Sequence, residues 1–156
     1  MVIQIYRLAN WLFRKRVPVL PWILKSINRV TFGVVLPPSV DLGPGVLLSY
    51  EGLGTVIHKR AVIGAKVVIA SGVTIGGRSG HDGVPVIGRG ALIGTGAKVL
   101  GPVKIGSFAS IGANAVVLSD VPDFGVAVGV PAKVIRILEP SEVPDYHAFD
   151  RSVPNG

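Results

Sequence analysis

His58 and His81 are two of only three histidines in a chain of 156 residues, and both stand beside groups that could put them to work. An imidazole with a reference pKa of about 6.5 can take a proton from a hydroxyl near neutral pH. Asp82 follows the second histidine and Glu51 lies upstream of the first. Either carboxylate could orient an imidazole and stabilise its cation. Tyr50, Glu51 and Arg78 occupy the irregular stretches beside them and are the candidates for holding the molecule that gives up the proton. His81 lies in the run Gly76-Gly77-Arg78-Ser79-Gly80-His81-Asp82-Gly83, where a backbone N–H could donate to a developing oxyanion without a side chain blocking access. The blander readings are a corner His58 with its ring satisfied and a solvated His81. His147, in an acidic tail, reads as incidental.

The elements that must carry these residues follow a period of six. Ile57, Ile63, Ile69, Ile75, Ile87, Ile93, Val99, Ile105, Ile111 and Val117 share one phase, broken at position 81, and hold eight of the fourteen isoleucines. Glycine follows in six cases, and a small or β-branched residue comes four positions on: Ala61, Val67, Val73, Ala91, Ala97, Val103, Ala109, Ala115 and Val121. Six fits neither a helix at 3.6 nor a strand at 2, so the repeat is a larger unit. A short strand plus a corner per hexad closes a three-sided coil in three hexads. The coils stack at about 4.8 Å, and the aliphatic residues become inward ladders. The expectation is an all-β solenoid, with glycine supplying the corner geometry.

Register then places the chemistry. One coil of eighteen carries His58 to Gly76, so His58 is expected one layer below the base of the segment 76–85, which either forms an irregular face or projects as a loop. The segment Ser49 to Gly54 is read as leading into the same corner, which gathers His58, His81, Tyr50, Glu51 and Asp82 on one edge. Leu42 and Leu48 keep the six-residue step out of phase with Ile57, as an insertion of three residues within Tyr50 to Val56 would cause.

Composition excludes several classes. The chain has no cysteine, so disulfide scaffolds and cysteine-ligated metal sites are out. At 49% hydrophobic it can fill a core, and 21 glycines with 12 prolines fit a turn-rich β architecture. The net charge of +7 is uneven: residues 1–40 hold Arg7, Arg14, Lys15, Arg16, Lys25 and Arg29 and no acid. With aromatics at 6% and no base-reading motif, nucleic acid is not an expected partner.

Those six cations alternate with apolar residues, Trp11 and Trp22, broken by Pro18 and Pro21, which predicts two short amphipathic helices. The roughly 18–20 uninterrupted apolar residues of a membrane span are missing, and no signal-peptide pattern stands out. A cytoplasmic protein is expected, with residues 1–30 either touching the inner membrane face peripherally or packing on the main domain with solvated charges. The division read from the sequence is an amphipathic helical segment over 1–35, a β-helix over 36–137 and a flexible tail over 138–156.

Within about 36–137, the segments Gly54-Thr55-Val56-Ile57, Gly72-Val73-Thr74-Ile75-Gly76-Gly77, Ile93-Gly94-Thr95-Gly96-Ala97-Lys98-Val99-Leu100-Gly101 and Gly129-Val130-Pro131-Ala132-Lys133 resemble the hexapeptide-repeat acyltransferases. Within them they are similar to serine O-acetyltransferases and the related O-acetyltransferases of surface-polysaccharide pathways. The resemblance implies a left-handed parallel β-helix, a homotrimer, and acetyl-coenzyme A as donor to a hydroxyl of serine or a sugar, by direct attack with a histidine base and no metal. It places coenzyme A in a groove between neighbouring subunits, where Gly77, Thr95, Ala113 and Lys133 fall by position. The family's base and its orienting aspartate would fall on Tyr50 and Val35, and its loop histidine loosely on His81. The roles therefore pass to His81 with Asp82, and to His58 as alternative base or acceptor-binding partner. The alternatives are a scaffold that has lost catalysis, and a zinc hydratase like the gamma-class carbonic anhydrases.

Overall fold

The computed structural model describes residues 1–145, so His147 and the rest of the tail lie outside it. The hexads form a three-sided prism whose coils run face one, face two, face three. Face one stacks β1 (Asp41–Leu42), β4 (Val62–Ile63), β7 (Val86–Ile87) and β10 (Lys104–Ile105), all parallel. Face two stacks β2 (Leu47–Leu48), β5 (Val68–Ile69), β8 (Leu92–Ile93), β11 (Ser110–Ile111) and β13 (Gly125–Gly129), and closes with β14 (Ala132–Ile137) antiparallel to β13. Face three stacks β3 (Val56–Ile57), β6 (Thr74–Gly76), β9 (Lys98–Leu100) and β12 (Val116–Val117). Successive faces meet at a first edge (one to two), a second (two to three) and a third (three to one).

Every aliphatic residue of the period-six phase points into the prism and is at most 2% exposed. The small residues four positions on are buried with them, Ala61, Ala91, Ala97, Ala109 and Ala115 at 0%. Val99 stacks on Ile75 and under Val117, and Ile93 lies between Ile69 and Ile111, so the ladders are continuous. A glycine-rich chain with short strands is stable in this form because each strand gains a hydrogen-bonded neighbour above and below.

The glycine that follows the aliphatic residue has a different cause from the one expected. A Cβ on Gly64, Gly88 or Gly94 would sit 2.6–2.9 Å from backbone atoms of the next coil, so a side chain there would wedge the coils apart. The left-handed backbone lies two residues later, at Lys66, Gly90, Phe108 and Phe124 along the first edge and at Gly72, Gly96 and Asn114 along the second.

Coil lengths match the register arithmetic. Leu42 pairs with Ile63 and Leu48 with Ile69, 21 residues apart, and the three extra residues are taken up around the four-residue turn Ser49–Gly52. Ile57 pairs with Ile75 at the regular spacing of 18, whereas Ile63 and Ile87 are 24 apart, because residues 77–85 leave the prism as a loop on the third edge.

Two antiparallel-packed helices close the N-terminal end of the prism. α1 (Val2–Arg14) buries Val2, Tyr6, Ala9 and Leu12, and Val2 and Tyr6 join the prism core. Tyr6 donates its hydroxyl to the Val40 carbonyl at 2.6 Å, and Arg7 donates to the carbonyls of Leu42 and Gly43. α2 (Leu20–Phe32) starts around Pro21 and stops at Gly33, which takes φ of 66° and donates to the Arg29 carbonyl. Phe13 and Trp22 meet edge to face at the turn between the helices.

Candidate active site

The loop 77–85 is held at its ends and free in its middle. Arg78 lies over Gly101, where a Cβ would meet its own Cβ at 3.0 Å, and Gly83 lies as tightly against Pro102. Gly77 and Gly80 have nothing within 4 Å of where a Cβ would be, so the backbone at these two glycines faces open space. His81 donates its backbone N–H to the Arg78 carbonyl at 3.1 Å, which turns the chain at the tip. His81 and Asp82 are exposed, and no hydrogen bond or ion pair joins them. The His81 ring bonds to no other described residue.

His58 stands where the register puts it, on the third edge at the end of β3, its N–H donating to the Ile75 carbonyl at 2.8 Å. It opens a tight corner closed by Ala61 N–H to the His58 carbonyl at 2.9 Å. Its ring is half-buried, and Nδ1 accepts the Arg60 N–H at 3.2 Å. That bond places the proton of the neutral ring on Nε2, so His58 presents a donor rather than a lone pair outward.

Tyr50 and Glu51 do not share this edge. They belong to the turn Ser49–Gly52 between β2 and β3, on the second edge, with all of face three between them and the histidines. The expectation of a single five-residue edge fails because the irregular segment precedes β3, and one strand is one side of the triangle. Tyr50 is 85% exposed, and both residues hold left-handed backbone, φ 53°, which non-glycine residues adopt at a cost of about 1–3 kcal/mol each.

Glu51 already has partners. Its carboxylate accepts the Met1 amino group at 2.8 and 3.0 Å and the Val2 N–H at 2.9 Å, which ties the turn to the start of α1. The ammonium bond, then the backbone bond, hold its pKa below the usual carboxylate value.

Of the residues placed at coenzyme A, Thr95 and Ala113 are exposed neighbours on the second edge, one coil apart, with the Thr95 carbonyl accepting the Asn114 N–H at 2.8 Å. Lys133 on β14 pairs with Val128, whose side chain lies against Gly112 of the same edge. Gly77 sits on the third edge. The candidate residues therefore fall into two separate groups: Tyr50, Thr95, Ala113 and Lys133 toward the second edge, and His58, Gly77, Arg78, His81 and Asp82 toward the third.

Among the described residues, no three or more His, Asp or Glu side chains cluster as a metal would require. A cavity of about 450 Å³ opens elsewhere, on the first edge, lined by Lys66, Arg89, Phe108, Phe124, Pro140 and Val143. Phe108 and Phe124 stack there with centroids 5.4 Å apart. Sequence reading passed over it, although the two phenylalanines at left-handed corner positions were its available signal.

Residues 85–119 match the family described as bacterial transferase hexapeptide, six repeats. The chain is 39% identical over 152 residues to the serine acetyltransferase of Synechococcus elongatus, covering 92% of this chain and 62% of that protein. It is 41% identical over 138 residues to that of Mycobacterium tuberculosis, covering 87% and 60%. The crystal structure of a Brucella abortus serine acetyltransferase in complex with coenzyme A superposes with a TM-score of 0.83 at 37% identity, over 88% of this chain and 55% of that one. The chain thus spans about 60% of the length of the curated relatives it matches. The fold they share is the left-handed parallel β-helix. The chain thus carries bacterial transferase hexapeptide repeats on that fold, and the relatives that it matches at 39–41% identity are serine acetyltransferases.

Proposed function

We propose that the protein is an acetyl-coenzyme A-dependent O-acetyltransferase acting on a small hydroxyl acceptor, serine or a sugar. The observation that carries this reading is the 39% identity to a serine acetyltransferase across 92% of the chain. The solved relative in complex with coenzyme A supports the donor. In the reaction the acceptor oxygen attacks the thioester carbonyl carbon, the C–S bond breaks, and the proton taken from the hydroxyl passes through the base to the departing thiolate. No acyl-enzyme is needed.

His81 is the base in this reading, because both its ring nitrogens are open to substrate. His58 binds the acceptor, because its outward Nε2–H donates. Asp82 and Arg78 lie beside the base, and Tyr50 contributes to the acceptor from the second edge. Thr95, Ala113, Lys133 and Gly77 hold coenzyme A.

A homotrimer makes this arrangement possible. With face three turned toward the axis of a cyclic trimer, the second edge of one protomer lies beside the third edge of the next, which brings together the two groups of residues that a single prism keeps apart. Serine is the acceptor that the relatives' names favour. Tyr50 at the place of the family's histidine, and Val35 at that of its aspartate, favour a different hydroxyl.

The test is thiol release from acetyl-coenzyme A, with L-serine and a panel of sugars offered separately, together with calorimetric titration of coenzyme A. Turnover with one class identifies the acceptor. Absence of both coenzyme A binding and thiol release at millimolar concentrations overturns the reading and leaves a scaffold.

A further inference from the structure

The helical hairpin has a face that the prism does not use. α2 turns Pro21 and Asn28 inward, and both are buried. On the opposite side Leu20, Ile23, Ile27 and Val30, spaced three, four and three residues apart, form one stripe and are 43%, 48%, 43% and 86% exposed. Trp22 and Trp11 add 47% and 56% exposed indoles to the same hairpin, and Lys25 lies 5.5 Å over the Trp22 ring.

Charge selects the partner. The first forty residues contain six cations and no acid. Arg7 is held by two carbonyls and Arg14 approaches Asp41 at 3.9 Å, which leaves Lys15, Arg16, Lys25 and Arg29 with no acidic partner among the described residues. We propose that this hairpin docks on an anionic phospholipid surface, with the α2 stripe and the tryptophans in the interfacial layer and the cations at the headgroups. A second copy of the chain would set an uncompensated basic hairpin against its own image, whereas anionic headgroups supply the missing charge. Neither helix is long and apolar enough to cross a bilayer, so the geometry is that of a helix lying in the interface. The inference does not rest on the acyl-transfer reading.

The experiment is sedimentation of the full chain with vesicles of phosphatidylcholine alone and with about one-third phosphatidylserine. We expect at least about tenfold stronger partition onto the anionic vesicles, falling as salt is raised. The double variant Ile23→Asp with Ile27→Asp should lose that partition with an unchanged circular dichroism spectrum. A separate variant, Lys15→Gln with Arg16→Gln and Arg29→Gln, leaves the stripe intact and should lose it as well. Equal pelleting with and without either vesicle overturns the proposal. So does a particle mass in light scattering that halves in the Ile23→Asp, Ile27→Asp variant, since the stripe would then be a contact between copies. Because the readout is lipid partition, its failure leaves the thiol-release result standing, and the reverse holds too.

Discussion

Tyr50 and His81 lie on different edges of one prism, with β3 and β6 of the third face between them. If both serve one reaction, they must come from different protomers. A mixture of His81→Ala and Tyr50→Ala chains, each inactive alone, should then regain activity after joint refolding, because some interfaces pair an intact edge from each. Random assortment gives about a quarter of the wild-type rate per site. Measuring thiol release across mixing ratios checks it. A mixture as inactive as its parents would place the chemistry within one chain.

The two histidines should differ in what they cost. His81→Ala should lower kcat by about 10²–10⁴, the span usual for a general base, and leave the affinity for coenzyme A unchanged. His58, whose Nδ1 is engaged by Arg60, should mainly raise the KM for the acceptor when changed to Ala. Steady-state kinetics of the two variants separates the roles, and equal effects on kcat would reject this division.

Glycine substitutions should follow the spacing of the coils. In Gly94→Ala the new methyl lands 2.6 Å from the Ile111 carbonyl oxygen, and forcing the coils apart should cost about 1–3 kcal/mol. In Gly77→Ala the methyl meets nothing within 4 Å, and the change should stay within about 0.5 kcal/mol. Ile93→Ala, cut from the middle of a ladder at 0% exposure, should cost about 2–5 kcal/mol. Denaturant melts rank the three, and a destabilised Gly77→Ala would contradict the free-standing loop.

The ladders were legible in the sequence because burial alone dictates them: an inward position tolerates only an aliphatic residue, so Ile57 through Val117 announce their period. The register of His58 beneath Gly76 followed from counting, since coils of 18 are rigid rulers. The edge of Tyr50 did not follow, because a three-residue insertion reads the same at any corner. Only the strands on either side of it, β2 and β3, say which corner it fills. The pairing of Glu51 with Met1 and Val2 was equally invisible, since nothing local predicts a contact between residues 49 and 50 positions apart. The reason for Gly64 and Gly88 was misread for a similar cause. Their constraint is the neighbouring coil, while their own φ is ordinary.

Tyr6 should make the protein alkali-sensitive in a defined window. Burial pushes its pKa from 10.0 up to about 12, and its hydroxyl donates to the Val40 carbonyl in the core at 2.6 Å. The folded state favours the protonated phenol, so the contribution is whole below the unfolded pKa near 10. Above that the unfolded chain loses its proton first, and stability falls by up to about 1.4 kcal/mol per pH unit until the folded phenol ionises near 12. Tyr6→Phe removes that part of the alkaline slope. At pH 7 it costs about 1–2 kcal/mol, because the buried Val40 carbonyl loses its donor. Denaturant midpoints of both proteins from pH 7 to 11 decide the matter: parallel curves above pH 10 would show that Tyr6 ionises as readily in the folded chain as in the unfolded one.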